Sequence, residues 1–148
     1  MMTVDELMTR HPHTLGPENT LKDALALMQD KHIHHIPILD DKGALVGLVS
    51  HRDALSASHS ILAREPAGQN GNTPLASFMT SKVVSVAPQA GLKEAGHYLQ
   101  KHQYGCLPVL DDGVLVGIIT ESDYVQAALT LMEILEEQTP SVAESGDD

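Results

Sequence analysis

A hydroxyl, a helix-start run of backbone amides and a carboxylate occur twice in this chain at one fixed spacing. Gly47-Leu48-Val49-Ser50-His51-Arg52-Asp53 is answered by Gly117-Ile118-Ile119-Thr120-Glu121-Ser122-Asp123, a Gly-h-h-[Ser/Thr]-x-x-Asp pattern in which h is apolar. At the start of a helix, free amides and the positive dipole end suit a phosphate. A carboxylate one turn in can accept both hydroxyls of a ribose, as acidic residues do in dinucleotide folds. Gly47 and Gly117 precede the hydroxyl by three residues, where a missing side chain would let a ligand approach the strand. Together these groups match the phosphate and ribose of a nucleotide. A plainer reading competes with this one. Ser50 with Asp53, and Thr120 with Asp123, also have capping-box spacing, and a lone copy of the pattern needs nothing beyond helix capping. Both readings hold if the carboxylate leaves the cap when a ligand arrives.

The duplication extends well beyond this turn. Met8-Thr9 answers Met79-Thr80, Leu21-Lys22 answers Leu92-Lys93, and Pro37-Ile38-Leu39-Asp40-Asp41 answers Pro108-Val109-Leu110-Asp111-Asp112. The offset is 71 residues up to the Asp-Asp pair and 70 after it, because Lys42 has no partner. A one-residue deletion at a turn, with register kept on both sides, marks two copies of one folding unit. Units of about 50 residues are marginal alone. The copies are therefore expected to share a core, with a cleft between them and two related candidate sites.

Hydrophobic periodicity places the motifs on elements. Val4 to Met8 is short and helical, and His13-Thr14-Leu15 is extended before the Gly16-Pro17 turn. Thr20 and Asp23 have capping-box spacing, and Leu21, Ala24, Leu25 and Met28 line one face of a helix running through Lys31. His35 to Leu39 and Leu45 to Ser50 form a hairpin, followed by a helix from Ser50 to about Arg64. The second copy repeats the order: Val83 to Val86 extended, a helix from Leu92 to Gln100, strands Leu107 to Leu110 and Val114 to Thr120 around Asp112-Gly113, and a last helix to about Glu137. Each unit is β-α-β-β-α, and the fold class is α/β. The expected division is 1–64 and 75–138 for the repeats, 65–74 for a Pro- and Gly-rich linker, and 139–148 for an acidic, disordered tail.

Composition narrows the function. A net charge of −11 with only 9 Lys plus Arg, and 3 % aromatics with no Trp, disfavours any nucleic acid polymer as partner. The single Cys106 excludes an internal disulfide and suits a reducing compartment. The start, Met1-Met2-Thr3-Val4-Asp5, lacks the pattern of a signal peptide, and no apolar run is long enough to span a membrane. A cytoplasmic location is expected. Ser50 and His51 are adjacent and do not face each other as nucleophile and base, and no Walker-type loop is present. The chain is not expected to be an enzyme.

The elements, in this duplicated order, resemble a tandem pair of cystathionine-β-synthase-type (CBS) domains. Such repeats serve as regulatory modules in inosine monophosphate dehydrogenases, kinases, channels and stand-alone bacterial proteins. The resemblance runs from about Val4 to Val125 and rests on Met8-Thr9, Leu21-Lys22-Asp23-Ala24, Ile36-Pro37-Ile38-Leu39-Asp40 and Gly47 to Asp53, with their counterparts in the second half. It implies two units packed sheet to sheet, a homodimer, and adenosine-containing ligands (AMP, ADP, ATP, S-adenosylmethionine, NAD-type dinucleotides) in the clefts between repeats. It further implies a sensor that transmits occupancy to a protein partner. By similarity, Ser50 and Thr120 would face phosphate, while Asp53 and Asp123 would bind ribose. The base pocket would come from the opposite repeat. Asp53 is thereby paired with Thr80, Val84, Gly105, Cys106 and Pro108, and Asp123 with Thr9, His13, His34, His35 and Pro37.

The two sites are not expected to be equal. Arg52 beside Asp53 can grip a phosphate through two bonds, whereas Ser122 beside Asp123 is neutral and Glu121 adds negative charge. His34 and His35 would crowd the base pocket of the second site, where Gly105 leaves room in the first. The nine histidines, densest at His32-Ile33-His34-His35, invite a metal site. Neighbours on an extended segment point to opposite faces, however, so a solvated or pocket-lining role is preferred. The rival readings are a ligand-free structural dimerisation module and a small His-rich metal-dependent enzyme.

Overall fold

The computed structural model describes residues 1–62 and 70–138. The expected helix end at 63–64, the linker residues 65–69 and the tail 139–148 lie outside the described residues. A 3-10 turn at Val4–Glu6 leads to β1 (Thr9–Arg10), α1 (Leu21–Lys31), β2 (His35–Leu39), β3 (Leu45–Ser50) and α2 (His51–Leu62). Two further 3-10 turns, Asn70–Asn72 and Leu75–Ser77, lead to α3 (Leu92–His102), β4 (Cys106–Asp111), β5 (Val114–Thr120) and α4 (Glu121–Gln138). The fold is α/β and duplicated.

Local chemistry explains the elements. Thr20 Oγ1 accepts the Asp23 amide at 3.2 Å and Asp23 accepts the Thr20 amide at 2.9 Å, a reciprocal cap that starts α1. Leu21, Ala24 and Met28 on α1, and Leu92, Ala95 and Leu99 on α3, form the buried stripes. The hairpins pair in matching register, with Ile38 opposite Gly47 and Val109 opposite Gly117. Their turns differ by the missing residue. Asp112 and Gly113 form a tight turn with φ of 52° and 83°, whereas the Asp40 carboxylate folds a longer loop by accepting the amides of Lys42 and Ala44.

The expected leading strands are reduced to single bridges, Leu15 beside Ile38 and Val86 beside Val109. Each lies against a strand proline. Pro37 and Pro108 have no N–H to offer, and their carbonyls accept the amides of Leu15 at 3.3 Å and Val86 at 3.1 Å.

The two halves exchange their leading segments. Thr9 and Arg10 pair with Ile118 and Gly117 of β5, and Thr80 bridges Leu48 of β3 through two bonds of 2.9 Å. Val4 and Met8 are buried with Leu92, Leu107 and Ile119, while Leu75 is buried with Leu21, Ile36 and Val49. The Leu75 amide reaches the Asn19 carbonyl at 2.8 Å, just as the Val4 amide reaches Ala90 at 2.9 Å. Each core thus contains residues of the other half, which ties together two units too small to stand alone. Tyr124 packs on Gly96 and donates to the Leu92 carbonyl at 2.6 Å, fastening α4 to α3. None of the α4 side chains is buried. No described helix is long and apolar enough to cross a membrane.

Candidate functional site

The strand-to-helix turns β3–α2 and β5–α4 carry the duplicated motif, and each closes on its own carboxylate. The Ser50 amide donates to Asp53 at 3.2 Å and the Asp53 amide donates to Ser50 Oγ at 3.0 Å. At the second turn, the Thr120 amide and hydroxyl both donate to Asp123, at 2.8 and 3.3 Å. Both aspartates therefore serve as caps in this state. Both are half-buried.

A cavity of about 450 Å³ opens beside the first turn. Ser50, Arg52 and Asp53 line one side of it, and Thr80, Val84 and Gly105 of the other half line the opposite side. A second cavity of about 390 Å³ lies at the other turn. There Thr120 and Ser122 face Thr9, His13, His34 and His35. Both volumes suit a small ligand. The two cavities meet, since His34, His35, Gly105 and Glu121 line both. His34 and His35 are therefore not confined to one site, nor Gly105 to the other.

Several nominated residues take other positions. Asp123 is not on the wall of the second cavity. Gly47 and Gly117 are buried, and the space before them is filled by protein: the side chains of Met79 and Met8, respectively. Pro37 and Pro108 are fully buried, and Cys106 is 1 % exposed, so none of the three lines either cavity. These five positions shape the strands behind the clefts. Placing the residues just before a strand proline on the cavity wall fails for Cys106, because its side chain is fully covered by protein.

Electrostatics follow the packing. Burial, with His34 alongside, holds His35 below the ordinary imidazole range, against the opposite pull of Asp53. Burial, helped by Asp123, pushes the Cys106 thiol far above its usual range, so it is no nucleophile. The same two causes push the Tyr124 phenol up to about 12. Among the described residues, no three His, Cys, Asp or Glu side chains are grouped to hold a metal ion.

The structure also adds wall residues beyond those nominated. Lys82 and Tyr104 line the first cavity, and Arg10, His11 and His32 line the second. Tyr104 is 44 % exposed and stacks behind the wall on Tyr98 and His102, with ring centroids 5.8 and 5.6 Å away. One signal was available in the sequence: 11–13 and 32–34 are the counterparts of 82–84 and 103–105 at the same offset of 71.

A duplicated α/β unit with exchanged leading segments and paired clefts at its helix starts is the class of protein defined here. The chain belongs to the CBS-domain family, whose family model matches residues 4–60 and 75–130. It is 31 % identical to the CBS domain-containing protein YhcV of Bacillus subtilis, covering 83 % of each chain. It is 35 % identical to inosine-5'-monophosphate dehydrogenase of Nitrosopumilus maritimus, covering 79 % of this chain and only 22 % of that enzyme. Among solved structures, a Vibrio cholerae protein assigned the name acetoin utilization protein AcuB is 51 % identical, with a TM-score of 0.82 over 92 % of this chain and 98 % of that one. CBSX2, solved in complex with AMP, is 31 % identical, with a TM-score of 0.75 over 89 % of this chain and 99 % of that one.

Proposed function

We propose that this chain is a regulatory module that binds an adenosine-containing ligand between its two halves and passes occupancy to a protein partner. One observation carries the reading. Ser50, Arg52 and Asp53 at a helix start share a cavity with Thr80, Val84 and Gly105 of the opposite half. Hydroxyl, guanidinium and carboxylate there complement phosphate and ribose, and the exposed Tyr104 ring offers a stacking face for a base. The AMP complex of CBSX2 supports the adenosine class. AMP, ADP, ATP and S-adenosylmethionine are the candidates. Because the ligand touches both halves, binding would tighten their contact, and that is the signal a partner would sense.

Self-association into a homodimer, in the cytoplasm, completes the proposal. Leu129, Leu131, Met132 and Leu135 on α4 are 49–62 % exposed, an apolar surface suited to a second copy. Sedimentation equilibrium tests it, and a monomer at every concentration would exclude it.

The ligand reading is tested by thermal shift and calorimetry with the four candidates, using GMP as control. A ligand selective for the native state raises the unfolding temperature by mass action. Asp53→Ala should abolish the shift. If no adenosine compound binds, the reading fails and a purely structural dimerisation module takes its place.

A further inference from the structure

The two clefts are built from matched positions with unmatched chemistry. The wall of one is drawn from 11–13 and 32–34, and the wall of the other from 82–84 and 103–105. Within those positions His11 replaces Lys82, His13 replaces Val84, His32 replaces Gln103, and His34 replaces Gly105. His11, His13 and His32 line the Thr120 cleft alone and answer groups that do not titrate near neutrality, whereas His34 and His35 line both clefts and His51 lines the Ser50 cleft. At the helix starts, Arg52 of the first cleft is answered by Ser122.

We propose that the Thr120 cleft is a pH-gated anion site, loading an adenosine phosphate once its histidines are protonated, while the Ser50 cleft holds the same ligand at neutral pH. The proposal rests on the adenosine reading above and adds its regulation. The Ser50 cleft has two permanent cations on its wall, Arg52 and Lys82. The Thr120 cleft has only Arg10, whose guanidinium already donates to the Asp5 carbonyl at 3.3 Å. Facing the histidines from α4 is Glu121, which lines both clefts, while Asp123 stays behind the wall, capped against Thr120. From the α2 side, Asp53 acts on His35, and the His51 ring lies 5.5 Å from that of His34. With neutral histidines, one engaged arginine is opposed by Glu121 and the nearby Asp123, so a phosphate gains little. His11, His13 and His32 line the Thr120 cleft alone and are exposed to solvent. Burial, then His34, hold His35 below the ordinary imidazole range, so it is the least ready of these rings to take a proton.

If binding takes up one proton, affinity rises about tenfold for each unit by which pH falls across the titration. The ligand's own phosphate gains a proton near pH 6 and loses charge, so a gain in affinity there must come from the protein.

Calorimetry of AMP into the full chain at about pH 8 and about pH 6 reads the gate directly. The expected result is one equivalent bound at the higher pH and two at the lower. The second equivalent should gain at least about tenfold, with a heat that depends on the buffer's ionisation enthalpy. His11→Gln/His13→Gln, on residues that line only the Thr120 cleft, should remove the second equivalent and leave the first. One pH-independent equivalent overturns the gate and leaves the adenosine reading standing. So do two equivalents at both pH values, or a second one that survives the double substitution. No binding at either pH overturns both.

Discussion

The Met8 thioether, from the first half, lies across the backbone of Gly117 in the second, and Met79 lies across Gly47 in the same manner. These contacts join the two motif strands to segments that arrive from the opposite half. A Cβ at Gly117 would sit 2.5 Å from Met8 Sδ and 3.0 Å from the Thr9 carbonyl. A Cβ at Gly47 would also meet Met79 Sδ at 2.5 Å, but its three nearest atoms all belong to that flexible side chain. Gly117→Ala should therefore cost roughly 1–3 kcal/mol of stability, and Gly47→Ala less. Urea unfolding measures both. Equal losses would mean that the Thr9 backbone yields freely.

Arg52→Ala separates phosphate recognition from adenosine recognition. Loss of a charge-assisted contact should weaken AMP about tenfold at the Ser50 cleft, with adenosine changed less than about twofold. Calorimetry at neutral pH reads both ligands. A parallel loss for the two would place Arg52 away from the phosphate.

Tyr124 sets an alkaline limit. Its phenol is raised from the usual 10.0 up to about 12, chiefly by burial, so the folded state holds its proton longer than the unfolded chain does. The stabilising contribution is complete below about pH 10 and is lost as pH rises through about 12. Tyr124→Phe should cost about 1 kcal/mol at neutral pH through the lost bond to Leu92 and should flatten the alkaline limb. Thermal melts across that range give the answer.

Asp23 acts at the other end of the scale. The Thr20 amide, then the Asn19 side chain, hold its carboxyl below the usual carboxylate range. Its contribution is present above the unfolded value near 4 and disappears as pH falls through the folded one. Asp23→Asn should lower stability by about 0.5 kcal/mol at neutral pH and have no effect in strong acid, as acid unfolding followed by circular dichroism would show.

Much of the fold was legible locally. The α1 span and both strands of the first hairpin coincide with the sequence reading, since a capping box and clean apolar patterns mark them. Of the second hairpin, Val114–Thr120 coincides, and the preceding strand gains Cys106 and Asp111 at its ends. The site was legible in part. Ser50, Arg52, Asp53, Thr80, Val84 and Gly105 share one cavity, whereas Cys106, Pro37 and Pro108 are buried and reach neither cavity wall. A side chain's direction at a strand edge depends on what packs behind it, and no local pattern states that.

Sequence alone determined that there are two copies, that each carries hydroxyl and carboxylate at a helix start, and where the turn lost a residue, because spacing and periodicity are properties of neighbouring residues. Tertiary structure alone decided that Val4 to Met8 and Leu75 to Met79 change partners, and that the motif glycines face methionine. It also decided that one aspartate of the two lines its cavity. Those outcomes depend on contacts between residues far apart in the chain, which form only when each small unit borrows apolar surface from the other.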